Sequence, residues 1–416
     1  MERCNRMGQT KLKKLGRNAM PKRSPSKQDE NQNSSPKPKH WVLVGAGPAH
    51  LLALKRLSEQ ANGPFDVTLI SEFDDVPLHA MMPEFIGGFY KSHEVYIPVR
   101  PTLEKAKARF ICDTVTGFDW TKKEVNLKSG DSVAYDFLSI NCGTKPKTKN
   151  ILGAEAFAHL SRPARRYQKD ILDFCDSLRG KRKINLVQVG TDGQGAENIL
   201  SLIRRLRAYG TDTKVHVIES GLRVLPSSSQ KASSQMHMEL EAHKVQVHVE
   251  TTVTEVTAKE VVLHDGTRIP SDFTSMSLTL EAAPWLLEQG LETFSRLIKV
   301  NQNLETSQKG VFAVGEVAID CDRPWPRTYQ AARKQAKVLV MNIKAQALEL
   351  PMKKYRPSLA TFQTLTNGDG KAMWSGGALG LSFSPFVWSW KAKCDKSFLE
   401  LFKVKPQPAE ESSPPA

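Results

Sequence analysis

The stretch His40-Trp41-Val42-Leu43-Val44-Gly45-Ala46-Gly47-Pro48-Ala49-His50 decides the fold. It opens as a short apolar run of β type that stops at a glycine. A helical pattern follows from about Pro48 to Gln60, with Leu51, Leu52, Leu54 and Leu57 at helical spacing. Asn62-Gly63-Pro64 breaks that pattern, and Phe65 to Ser71 reads as a second strand. Residues 41–71 therefore predict a β-α-β unit of the length that carries a nucleotide.

The pattern restarts further along the chain. Arg182 to Val189 reads as a strand ending at Gly190, a helix is expected from about Gly195 to Tyr209, and Lys214 to Ile218 is a strand ending at Glu219. Between the two starts lie β-type stretches at Ala108–Phe118, Glu124–Lys128 and Tyr135–Ile140. Val245 to Leu263 alternates as strands, Gly310 to Gly315 is a last buried strand, and a helix is expected over Thr328–Ala347. Strands alternating with helices predict parallel sheets with both faces covered. The fold class is α/β with two Rossmann-type domains. The expected organisation is a disordered basic tail (1–39), a first part of an FAD-binding domain (40–150), an NAD(P)-binding-like domain (151–290), a second FAD-binding part (291–347), a C-terminal cap (348–404) and a disordered tail (405–416).

Each glycine-bearing turn has a chemical reading. Gly45 lets the chain turn tightly out of its strand, and Gly47 lets the backbone approach a diphosphate with no Cβ in the way. Pro48 and Ala49 open a helix whose N-terminal amides face the phosphates. His50 stands where a third glycine serves close helix–strand packing, which predicts a slightly wider crossing. The second strand should end in a carboxylate for the ribose hydroxyls; Ser71 occupies that end and Glu72 comes next.

In the second turn, Gly190-Thr191-Asp192-Gly193-Gln194-Gly195-Ala196-Glu197, the outer glycines are in place and Asp192 replaces the middle one. A carboxylate there is expected to take the space of a diphosphate and to repel it. Glu219 is placed to accept from an adenosine ribose and disfavours a 2′-phosphate. Two readings stay open: an NADH site of altered geometry, or a fold element that no longer takes a nucleotide. The third motif, Gly315-Glu316 after a buried strand, suits the ribityl chain of a flavin, with the positive end of the following helix aimed at the ring.

Composition bounds the rest. The chain of 416 residues has a formal charge of +15, 40% hydrophobic and 7% aromatic residues. Residues 1–40 hold eleven Lys/Arg against Glu2, Asp29 and Glu30. Such a tail can attract nucleic acid or an anionic membrane, or simply be a solvated leader; lacking aromatics to stack on bases, it predicts no specific nucleic-acid partner. The six cysteines form no metal-type pair, and no apolar run is long enough to span a membrane. No metal is expected. A helix over 386–402 is expected, with Phe386, Trp390, Phe398, Leu401 and Phe402 exposed on it. It either packs on the body or meets a membrane surface together with Lys391, Lys393, Lys396, Lys403 and Lys405. The expected location is cytoplasmic, free or peripheral on the inner membrane.

With three motifs in this order the chain resembles the pyridine nucleotide–disulfide oxidoreductase superfamily without its redox disulfide. It is similar to type II NADH dehydrogenases and sulfide:quinone oxidoreductases. More closely it looks like the flavoprotein module fused to selenide, water dikinase, through the His50 loop, Leu69-Ile70-Ser71, Met82 to Tyr90, Ala108 to Ile111, Asn367 to Ala372 and Val387 to Lys391. The resemblance covers roughly residues 40–402. It implies non-covalent FAD, reduced NAD(P)H as hydride donor and a quinone or other acceptor. It also implies that Pro83 lies near the flavin ring, that Gly315 and Glu316 hold the ribityl chain, and that Glu197 and Glu219 line the nicotinamide cofactor's site. Asn141-Cys142-Gly143 stands for the expected Ala-Thr-Gly strand end, with Gly143 at the cofactor and Cys142 as a small buried residue. Thr279-Leu280-Glu281 stands for it in the second half. The cysteines form no set that supports sulfide oxidation. The departures concentrate in the NADH half, so the rival expectation is a flavin-binding protein with a degenerate NADH site that uses another donor or acts non-catalytically.

Overall fold

The computed structural model describes residues 38–59, 65–178, 183–192, 194–358, 363–376 and 379–403. The tails expected at 1–39 and 405–416, the Asn62-Gly63-Pro64 turn and Gly193 lie wholly or almost wholly outside them.

Residues 39–44 alternate between two cores. Trp41 and Leu43 enter one apolar cluster, and Val42 and Val44 enter another on the opposite face. A strand buried on both faces belongs in the middle of a covered parallel sheet. The first sheet has the order Val311–Ala313, Phe137–Ile140, Lys39–Val44, Phe65–Ser71, Arg109–Cys112, and every pair in it is parallel. Helix Pro48–Ser58 buries Leu51, Leu52, Leu54 and Leu57 between this sheet and helix Tyr329–Ala347. Each such leucine contributes roughly 1.5–3 kcal/mol.

The edge strand Val311–Ala313 reaches this sheet only after the chain has built the second one. That sheet runs His159–Leu160, Phe273–Met276, Lys183–Val189, Asp212–Ile218, Gln246–His248, again all parallel. Each sheet is accompanied by a three-stranded antiparallel meander, at 115–134 and 253–270. The chain is thus one plan used twice, with the first sheet completed last. That return places Gly315 beside the end of strand Phe137–Ile140, with Asn141 between it and the Gly45 turn.

Two expectations change in detail. The β-stretch Ala108–Phe118 is split into Arg109–Cys112 and Val115–Asp119, because Asp113 turns its carboxylate back onto the amide of Thr114 (2.6 Å). Helix Pro385–Glu400 packs on the body through Val387, Phe398 and Leu399, and Phe402 just beyond it is buried too. Of the aromatics assigned to an outer face, only Phe386 (74% exposed) and Trp390 (40%) lie outside. Lys391 is not a surface lysine. It is buried and paired with Glu84 (2.7 Å) and Asp395 (2.9 Å), because an ammonium without water needs carboxylates. Burial opposes its charge, yet Glu84 and Asp395 hold it well above the usual lysine range.

Candidate functional site

The first glycine turn sits at the carboxyl ends of the parallel strands, where open α/β sheets bind ligands. Gly45 has φ +89°, and a Cβ there would lie 2.5 Å from the carbonyl oxygen of Asn141, so only glycine fits. No side chain caps the start of helix Pro48–Ser58. Its positive end is left to whatever occupies the cleft.

His50 is buried with both ring nitrogens engaged. Gly45 O can only accept, so Nδ1–H donates to it (2.7 Å). Nε2 then accepts from the hydroxyl of Ser139 (2.9 Å), whose oxygen accepts from the indole N–H of Trp41 (3.0 Å). Burial lowers the His50 pKa to about 4, against the raising effect of the Gly45 bond, and keeps the ring neutral. The residue that breaks the glycine pattern therefore braces the turn from beneath and does not face the cleft.

Asn141 follows strand Phe137–Ile140, and its carboxamide lies between two of the turns. A Cβ on Gly47 would meet that carboxamide at 2.5 Å, and one on Gly315 would meet its Oδ1 at 2.2 Å. The Asn141 Nδ2 is buried and has no hydrogen-bond partner. A buried donor without an acceptor, beside an uncapped helix start, fits an anionic diphosphate. Gly143 has φ +79° and nothing within 4 Å of its Cβ position. Cys142, two residues past the strand end at Ile140, is exposed as a residue, not the small buried residue expected, although burial around its thiol pushes the pKa up to about 12.

Glu316 follows Gly315, whose amide donates to Gln335 Oε1 (2.9 Å). Its carboxylate accepts from Arg162 (2.7 Å) and from the Thr144 hydroxyl (3.3 Å). Arg162 reaches it from the start of the second domain, and the sequence reading missed it; its one signal is its place just before Pro163 at the restart. Pro83 opens the short buried helix Met82–Ile86. Ahead of it, both ring nitrogens of His79 are buried without a partner, and burial followed by the charge of Arg162 holds that ring well below the usual histidine range. Ser71 ends its strand opposite Cys112, and Glu72 is exposed just past it.

The second turn is built differently. Its helix, Gly195–Ala208, begins five residues after Gly190, whereas Pro48 comes three after Gly45. The loop carbonyls engage the helix start: Asp192 O accepts from Gly195 N (3.1 Å) and Thr191 O from Ala196 N (3.1 Å). Glu219 does not point at open space. One oxygen accepts from the Thr191 amide (2.9 Å) and its hydroxyl (2.5 Å), and the other from the Gly221 amide (3.0 Å). The following segment lies back on the loop, with Leu225 N donating to Thr191 Oγ1 (2.8 Å) and Ser227 N to Asp192 Oδ2 (3.2 Å). Asp192 is thus held by its own chain, and burial raises its pKa. Glu197 faces away from Glu219, toward the C-terminal cap, where it accepts from Thr366 N (2.8 Å). Burial lifts its pKa to about 8, against the lowering effect of that bond and of Lys391.

Three comparisons bear on this geometry. Over 335 residues the chain is 26% identical to demethylphylloquinone reductase of Synechocystis, covering 76% of this chain and 81% of that one. Over 334 residues it is 25% identical to the type II NADH:quinone oxidoreductase of Staphylococcus epidermidis, covering 74% and 82%. The crystal structure of sulfide:quinone oxidoreductase from Aquifex aeolicus shares the fold, with TM-score 0.75 at 18% identity over 87% of this chain and 91% of that one. Residues 39–336, from the first strand through the first turns of the helix behind Gly315, match the pyridine nucleotide-disulphide oxidoreductase family, and to that family the chain belongs.

Proposed function

We propose that this protein is an FAD-dependent oxidoreductase that takes hydride from a reduced nicotinamide dinucleotide and delivers electrons to a quinone. The observation that carries the reading is the first glycine turn, with its uncapped helix and the unpartnered Asn141 donor, whose carboxamide also meets the Gly315 turn ahead of Glu316. The names of the quinone-reducing relatives support the acceptor class. FAD supplies a ring that accepts hydride and releases electrons singly or in pairs.

The chain's own residues bind and orient. Gly45, Gly47, Pro48 and Ala49 receive the diphosphate, and Ser71 and Glu72 take the adenosine ribose. Gly143, Gly315 and Glu316 follow the ribityl chain, with Arg162 balancing the Glu316 charge, and Pro83 lies by the ring. Gly190, Gly195 and Glu219 belong to the nicotinamide dinucleotide's side. For its diphosphate to reach the Thr191 amide, Glu219 has to release that amide, and the Leu225–Ser227 segment, which bonds the Thr191 hydroxyl and the Asp192 carboxylate, has to lift away. Phe386 and Trp390, with Lys393 beside them, form the face we assign to a membrane surface, where a quinone dissolves. Among the described residues no helix is long and apolar enough to cross a membrane.

The purified protein is expected to be yellow, and anaerobic NADH is expected to bleach its band at about 450 nm, a wavelength set by the cofactor. A colourless protein that takes up no added FAD ends the proposal. The self-bonded second turn favours one rival, a flavoprotein reduced by a different donor. That reading holds if excess NADH and NADPH leave bound flavin oxidised.

A further inference from the structure

We infer that Asn141 is the side-chain ligand of the cofactor's diphosphate, a role the glycine pattern itself does not assign. The inference rests on the FAD reading above and deepens it. Asn141 is fixed from both directions. Its amide donates to Val44 O (2.8 Å), so its backbone is locked to the central strand one residue before Gly45. Its carboxamide touches Gly47 from the first turn and Gly315 from the returning edge strand. The residue is 4% exposed, and the Nδ2 atom finds no acceptor in the protein.

Buried amide donors are nearly always paired, because water has been given up and nothing has replaced it. Here the missing acceptor has a defined place: the carboxyl end of the sheet, beside an uncapped helix start. Both features prefer a negatively charged oxygen. Gly47 is the position whose missing side chain opens room for a diphosphate, and Asn141 stands in part of that room. A phosphate oxygen that settles in the rest of it is the acceptor we assign to the Asn141 N–H. The alternative, a spacer that merely keeps Gly47 and Gly315 apart, needs the shape of asparagine but not its N–H.

That difference is testable on the full chain stripped of flavin. Asn141→Asp keeps the shape, removes the donor and adds a like charge. It is expected to weaken FAD, and equally ADP, which carries the diphosphate without the flavin, by about a hundredfold or more. Asn141→Ser, which keeps a shorter donor, is expected to lose about tenfold. An Asn141→Asp protein that folds and binds both ligands as tightly as the native chain overturns the inference. If Asn141→Asp does not fold, the native protein decides. With asparagine side chains labelled by 15N, the Asn141 amide resonance, assigned by its loss in Asn141→Ser, is expected to shift on saturation with ADP. An unmoved resonance at saturation overturns the inference. A native chain that binds neither FAD nor ADP overturns the FAD reading itself.

Discussion

The two glycine turns begin alike and end differently. Gly45 N donates to Ile70 O and Gly190 N to Ile218 O, each at 2.8 Å, so both strands turn out of their sheets by the same hydrogen bond. In the first turn, helix Pro48–Ser58 starts at once, and the strand end that follows contributes Ser71, which bonds nothing in the turn. In the second, two more loop residues intervene, and the strand end contributes Glu219, which binds the Thr191 amide and hydroxyl. The first turn leaves its helix start uncapped by any side chain; the second satisfies its own amides with its own carboxylate and carbonyls. On the function proposed above, the same supersecondary plan yields a site ready for a resident cofactor and one that has to open for a transient partner.

The largest effect that separates them concerns those two strand ends. Glu219→Ala leaves three buried or half-buried donors without an acceptor, and we expect a loss of about 3–5 kcal/mol in urea unfolding of the apoprotein. Ser71→Ala should stay within about 0.5 kcal/mol while weakening FAD. Similar stability losses for the two would erase the contrast.

His50 gives the next effect. Its pKa is lowered to about 4 in the fold, so the unfolded chain binds its proton first as pH falls. Its stabilising contribution is complete above about pH 6.5 and is lost on acidification toward pH 4, an order of about 3 kcal/mol. The stability difference between the native chain and His50→Gln, measured by denaturant titration, should shrink across that window. A pH-independent difference would show that the ring is not held neutral.

Gly45→Ala and Gly190→Ala should each destabilise by about 1–3 kcal/mol, because both glycines have positive φ and both Cβ positions fall on backbone carbonyls. Only the first should also lose flavin, read as the ratio of absorbance at the flavin band to that of the protein. The smallest effect is at Ser227→Pro, which removes the N–H that holds Asp192. It should lower the KM for NADH severalfold with kcat little changed; an unaltered KM would mean that the segment does not gate the turn.

Much of this was legible in the sequence, for a physical reason. A strand buried on both faces needs a largely apolar run, and Trp41–Val44 provides one, as does Leu186–Val189 apart from the buried Gln188; glycines at positive φ then mark the turns. The positions of Gly45, Gly315 and both helices followed. What did not follow depends on contacts between distant segments. His50 reads as a packing defect until Ser139 and Trp41 are placed beside it. Lys391 reads as a surface cation until Glu84, more than three hundred residues earlier, closes over it. Arg162 and the unpartnered Asn141 amide are also products of the return of the chain to its first sheet, which no local pattern records.

Calorimetric titration of ADP tests the contrast most directly, since ADP is the half that FAD and NADH share. One tight site is expected in the flavin-free protein, and its disappearance once FAD is bound, with any remaining affinity about a hundredfold weaker. Two sites of similar affinity, or a tight site that survives FAD loading, would contradict it.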